Sequence, residues 1–106
     1  MNSELDELDQ LLIWWESFVP TLVTELQHYY DYLNDLDGRA RFELLLDSVT
    51  DQNVKMHLIS RLKAADDVFF HLTEICLEGV PKERIHHPDR EWFRYRKPKH
   101  VGDDWA

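Results

Sequence analysis

The chain is short of the residues that bend or end secondary structure, and short of positive charge. Its 106 residues include three Gly, four Pro and a single Cys, and 21 acids stand against 12 Lys and Arg. Three scattered glycines cannot build a phosphate-cradling loop. The lone Cys76 excludes an intramolecular disulfide, and its place in an apolar stripe suggests an inert buried thiol in a reducing compartment. No apolar run approaches the roughly 18 to 20 residues needed to span a bilayer, and the first residues, Met1 to Asp6, are acidic where a signal peptide starts basic. A cytoplasmic protein without membrane association is expected. Catalytic signatures are missing too: no serine sits in an elbow, and neighbours such as Asp66 and Asp67 diverge by about 100° on a helix, so adjacency makes no acid–base pair. The expectation is a protein that is not an enzyme and uses no cofactor.

What the chain does have is aromatic mass and a division of charge. Four Trp, four Tyr and five Phe mark a folded domain. Residues 1–81 carry 16 acids and 5 bases, a balance of −11, whereas residues 82–100 carry 7 bases and 3 acids, a balance of +4. An acidic body over 1–80 and a basic, aromatic tail over 81–106 are expected, with the tail docked on the body.

Apolar residues recur at spacings of three and four, which lines one face of a helix for burial. The series are Leu5, Leu8, Leu12, Trp15, Val19; then Leu22, Leu26, Tyr29, Leu33, Leu36; then Phe42, Leu45, Leu46, Val49; and Leu58, Leu62, Ala65, Phe69, Leu72, Cys76. Pro20 suits either the first turn of a second helix or a kink in one long helix from residue 4 to 36. Gly38 and Gly79 suit helix C-termini, Pro81 a stop, and Thr50 a cap for the last long helix, which should run to about Glu78 and form the centre of the core. The predicted fold is all-α: a small antiparallel bundle of about four helices with a basic aromatic tail. Pro88 to Lys97 has the charge order of a short fifth helix.

Six histidines among many acids raise the question of a metal. Asp67, His71 and Glu74 fall on one helical face, Glu25 and His28 form one Glu-x-x-His pair, and His86, His87 and Asp89 cluster in the tail. Di-iron bundles need two such pairs and two further inward glutamates. Solvated faces and loop packing are the simpler reading, and no metal is expected. The tail mixes Arg and Lys with Trp92, Phe93 and Tyr95 in the manner of a single-strand nucleic-acid platform, yet a −11 body beside it repels phosphates. Nucleic acid is therefore not the expected partner; recruitment to a larger complex or RNA through the tail is the alternative reading.

The acidic stretch from His28 to Asp37 is the most suggestive surface. Tyrosines with exposed rings beside carboxylates fit a basic protein partner, because Tyr supplies rigid contact area and acids pair with Lys or Arg. The expected contacts are Tyr30, Asp31, Tyr32, Asp35 and Asp37, with Glu43, Asp47 and Asp51 as steering charge. In size, charge and the Tyr29-Tyr30 pair with Asp31, the stretch resembles the bacterial immunity proteins that inhibit colicin DNases. In that family a proline follows the tyrosines in a short helix, whereas Asp31 and Tyr32 continue a long one here, so no residue role is carried over. The resemblance implies an acidic inhibitor, an immunity protein or antitoxin, that occludes the active site of a basic, nuclease-like toxin.

Overall fold

The structure is a computed structural model and describes residues 3–76, 84–99 and 101. It is mostly helical. Helix α1 spans Ser3–Phe18, a single turn α2 spans Thr21–Thr24, α3 spans Tyr29–Leu46 and α4 spans Gln52–Leu72. Strand β1, Thr73–Ile75, pairs antiparallel with β2, Arg96–Pro98, and the 3₁₀ turn Trp92–Tyr95 leads directly into β2.

Cross-helix contacts fix the directions. Trp14 bonds Asp35, Leu11 lies opposite Gly38, and Glu7 pairs with Arg41, so α1 and α3 run antiparallel. Asp9 pairs with Arg61 while Trp15 meets Asp66 and Phe69, so α1 and α4 run the same way. Helix α1 packs closely against both; it is α1, and not α4 as expected, that sits at the centre.

The first and last sequence seams are where the spacing put them, and Phe42, Leu46 and Val49 of the third are buried too. Leu8, Leu12 and Trp15 are buried from α1, with Val19 just after it, and Leu58, Leu62, Ala65 and Phe69 from α4. Each fully buried large apolar side chain contributes roughly 1.5–3 kcal/mol. The middle of the chain differs. Glu25 and His28 adopt extended backbone, which ends α2 after one turn and restarts the helix at Tyr29 in a new phase. The break is held by Gln27, whose side-chain amide donates to the carbonyls of Thr21 and Glu25. Leu26 therefore falls off the seam and is 64% exposed. Helix α3 then runs through Gly38 without stopping, burying Tyr32, Leu33, Leu36, Arg39, Phe42 and Leu46. The expected second and third helices are thus one turn and one long helix.

Asp51, not Thr50, caps α4: its Oδ1 accepts the backbone N–H of Asn53 and Val54. Helix α4 ends at Leu72, where the chain turns extended at Thr73 and enters β1, so a short strand pair joins an otherwise helical fold. Glu74 faces Lys97 across the ladder at 3.6 Å, the cross-strand opposition of charge that favours this register. Cys76 follows β1, half-buried and off any helical seam, and its N–H donates to Tyr95 O. The expected stop at Gly79 and Pro81 and the boundary at residue 80 lie outside the described residues.

The chain after residue 84 is tied to the helices at their core. Phe93 is fully buried and Trp92 packs edge-on against Phe69 with ring centres 5.8 Å apart. The Arg39 guanidinium lies 4.9 Å above the Phe93 ring and grips Asp66 through Nε at 3.1 Å and Nη2 at 2.8 Å. Asp66 Oδ1 also accepts Trp15 Nε1 at 2.9 Å. One partly buried carboxylate therefore joins α1, α3 and α4, and the buried arginine on it carries the tail's anchor ring. Replacing such a pair by apolar groups is often neutral for stability, whereas removing one partner alone costs about 3–5 kcal/mol.

Candidate functional site

The acids of α3 divide into two groups. On the side facing residues 84–94, Asp37 accepts Arg94 Nη1 and Arg84 Nη1, both at 2.8 Å. Asp47 holds Arg90 in a bidentate pair, Nη1 at 2.8 Å and Nη2 at 3.0 Å, and Arg90 Nη2 also donates to the Glu43 carbonyl at 3.3 Å. Glu43 itself lies beside Arg39, 3.4 Å from Nη1. Buried Glu91 completes the set: Oε1 takes Arg94 Nε, and Oε2 takes the N–H groups of His86 and His87. Burial pushes the Glu91 carboxyl up, but Arg94 and the two backbone donors outweigh it and hold the group below the usual range. The Arg90 bond likewise lowers Asp47. A cavity of about 320 Å³ remains between α3 and this segment, lined by both signs of charge.

This arrangement gives several of the expected contacts partners within the chain. Asp37, Glu43 and Asp47 are committed to the protein's own arginines, and Asp51 to the α4 cap. Tyr32 is 1% exposed, and its hydroxyl donates to Arg96 O at 2.8 Å, so it is a core residue rather than a surface anchor. Its seam position follows from the helix restart at Tyr29. The tail contacts are partly as expected: Trp92, Phe93 and Arg94 dock, whereas Arg96 binds Thr73 and the Phe70 carbonyl and stacks over Phe70 at 4.2 Å instead of meeting a carboxylate. The segment Pro88 to Lys97 is a 3₁₀ turn and a strand instead of a fifth helix.

The second group lies at the junction of α1, α2 and the start of α3. Here a cleft of about 510 Å³ is lined by Trp14, Phe18, Leu26, His28, Asp31 and Asp35, with Glu25, Gln27 and Asn34 among its polar edges. Among the described residues no Lys or Arg lines it, and no cation pairs with Glu25, Asp31 or Asp35. Trp14 is 57% exposed, and Tyr30, packed edge-on against Tyr29, is 69% exposed on the adjoining first turn of α3. Trp14 Nε1 donates to Asp35 Oδ1 at 3.1 Å. Burial pushes the Asp35 carboxyl up to about 6; the indole bond opposes that shift and the Asp31 charge adds to it. Of the eight expected contacts, Tyr30, Asp31 and Asp35 remain together at an open surface.

Sequence reasoning missed Trp14 and Leu26. Trp14 was legible in principle, because of two adjacent tryptophans only one can lie on a seam. Leu26 was not, since the break that exposes it carries neither Gly nor Pro. The residues weighed for a metal do not converge: His71 Nδ1 bonds the Asp67 carbonyl, and Glu74 has left the helix for β1. Among the described residues no three His, Cys, Asp or Glu side chains are placed to hold a metal ion, and no helix is long and apolar enough to cross a membrane. Comparison with protein-family models, curated proteins and solved structures finds no match.

Proposed function

We propose that this is an acidic binding protein that captures a basic macromolecular partner through the face built by Trp14, Leu26, Tyr30, Asp31 and Asp35. In its most specific form, the protein is an immunity protein or antitoxin that occludes the active site of a basic, nuclease-like toxin. The observation that carries the reading is the cleft itself: three carboxylates without a compensating cation among the described residues, beside half-exposed aromatic and apolar side chains. Exposed apolar groups of this kind mark interaction surfaces, and uncompensated acids beside them steer a positive partner and raise association rates. No turnover and no cofactor enter this mechanism. Recruitment through the tail to a larger complex or RNA is the weaker reading, because Arg84, Arg90 and Arg94 are paired with the body's own acids and Phe93 is buried.

The test is capture from the native host on immobilised wild-type protein and on an Asp31→Lys/Asp35→Lys variant. The reading expects a basic protein that the wild type retains, the variant loses, and whose enzymatic activity is blocked in the complex. Retention indifferent to the charge reversal, or a captured partner that stays fully active, would count against it.

A further inference from the structure

The cleft has the composition of a receptor for one particular kind of group. An extended organic cation needs a flat, polarisable surface and carboxylates at its rim. A guanidinium satisfies both at once, since its face stacks on an indole and its edge donates in a planar fork. Trp14 supplies the ring, more than half exposed at the cleft wall. Asp35 commits one oxygen to the indole N–H and keeps Oδ2 unused, and Asp31 and Glu25 accept no side-chain hydrogen bond among the described residues. The titratable groups facing the space are Glu25 and His28 from the link between α2 and α3, and Asp31 and Asp35 from α3; α1 contributes Trp14, Ser17 and Phe18 and no charge. Among the described residues all the fixed charge there is negative. The volume, about 510 Å³, greatly exceeds that of a single water or bare ion, and the carboxylates do not converge as metal ligands do.

We infer that this cleft seats a guanidinium-bearing side chain of the partner, an arginine stacked on Trp14 with its fork directed to Asp35 and Asp31. The inference deepens the proposed function and rests on it for the identity of the larger partner. It also accounts for a carboxylate left half-buried without a counter-charge: Asp35 is unfavourably placed in the free protein, and an incoming cation supplies what is missing. Linkage then requires that binding lower the pH at which Asp35 releases its proton, and that affinity rise as the pH passes upward through that point.

The experiment uses the full chain and methylguanidinium as the probe, with sodium chloride at matched ionic strength and calcium chloride as controls. The indole N–H resonance of Trp14, identified by its loss in Trp14→Phe, is followed together with the Asp35 carboxyl carbon. The expected result is a saturable shift of both with a dissociation constant of roughly millimolar, the range suited to one small ligand. Affinity falls about tenfold in Asp35→Asn and less in Asp31→Asn, and the Asp35 titration moves down by at least about one pH unit at saturation, a tenfold linkage. Non-saturating shifts equal to those of sodium chloride, equal shifts with calcium, or affinity unchanged in Asp35→Asn would each overturn the inference. If methylguanidinium fails while a captured basic protein still depends on Asp31 and Asp35, the cleft inference falls and the proposed function stands. Saturable probe binding with no basic protein retained gives the converse.

Discussion

Helix α3 carries two sets of carboxylates with opposite fates. Asp37, Glu43 and the C-cap Asp47 face the chain's own arginines and are neutralised there, whereas Asp31 and Asp35, nearer the helix N-terminus, meet none among the described residues. Both sets look alike in the sequence, as Asp and Glu in one polar helix. The difference teaches that a surplus of acid does not by itself mark a surface for a partner; what marks it is the charge left over after the fold has paired its own. Of the eight residues the sequence nominated, Asp37, Glu43 and Asp47 are paired within the chain, Asp51 caps α4 and Tyr32 is buried.

The largest effect that can break this comparison is loss of the ring that holds the tail in place. Phe93→Ala removes a fully buried side chain and should destabilise the protein by about 3–5 kcal/mol. Equilibrium unfolding checks the size, and a loss below about 1 kcal/mol would show that the tail is not anchored there. In the surviving folded fraction, faster amide exchange in residues 84–99 would report that Asp37 and Asp47 have been uncovered.

A smaller effect sharpens the other side. The Asp35 carboxyl is raised from 3.8 to about 6, so the unfolded chain releases this proton first as pH rises. The group therefore withdraws stability across the window from about pH 4 to 6 and leaves it withdrawn above. The full shift corresponds to about 3 kcal/mol, and partial solvent access reduces the expected effect to about 1 kcal/mol. Asp35→Asn should then stabilise the protein by about 1 kcal/mol at pH 8 and by nearly nothing at pH 3.5, measured by urea unfolding at both values. Equal effects at the two pH values would contradict the account. Smallest is Asp47→Ala. Its pair with Arg90 is exposed on both sides, and such pairs contribute below about 1 kcal/mol. Denaturant midpoints for this variant should shift only slightly, and a loss above about 2 kcal/mol would mean that the pair is part of the core.

The sequence was legible where an uninterrupted period had nothing to reset it. The α1 seam and the α4 seam as far as Phe69 are inward, because sixteen and twenty-one residues of unbroken helix keep one phase. The extended backbone at Glu25 and His28 was not legible, since the stop is made by a glutamine amide reaching back to two carbonyls, an arrangement no local propensity announces. Around the break the phase was misread: Leu26 was placed inside and Tyr32 outside, and both are reversed, whereas Leu33, Leu36, Phe42 and Leu46 are buried as their spacing implied. Gly38 was read as a stop, but a helix held between α1 and the tail tolerates its cost of about 1 kcal/mol. In the tail the charge was read correctly and the conformation was not. Arg84, Arg90 and Arg94 do meet the body's acids while Arg96 does not, and the chain reaches them as a turn and a strand, held by Glu91 on two backbone N–H groups and by β1 across the ladder.

The distinction between the two sets of acids is most directly tested by titrating both in one sample. Carbon-13 spectra of the carboxyl groups of the free, wild-type protein, recorded from pH 2 to pH 8, follow Asp35 and Asp47 side by side. The account predicts that Asp47, held by Arg90, titrates below 3.8, and that Asp35, half-buried with no cation beside it, titrates near 6. Two carboxyls titrating together at the ordinary value would contradict it.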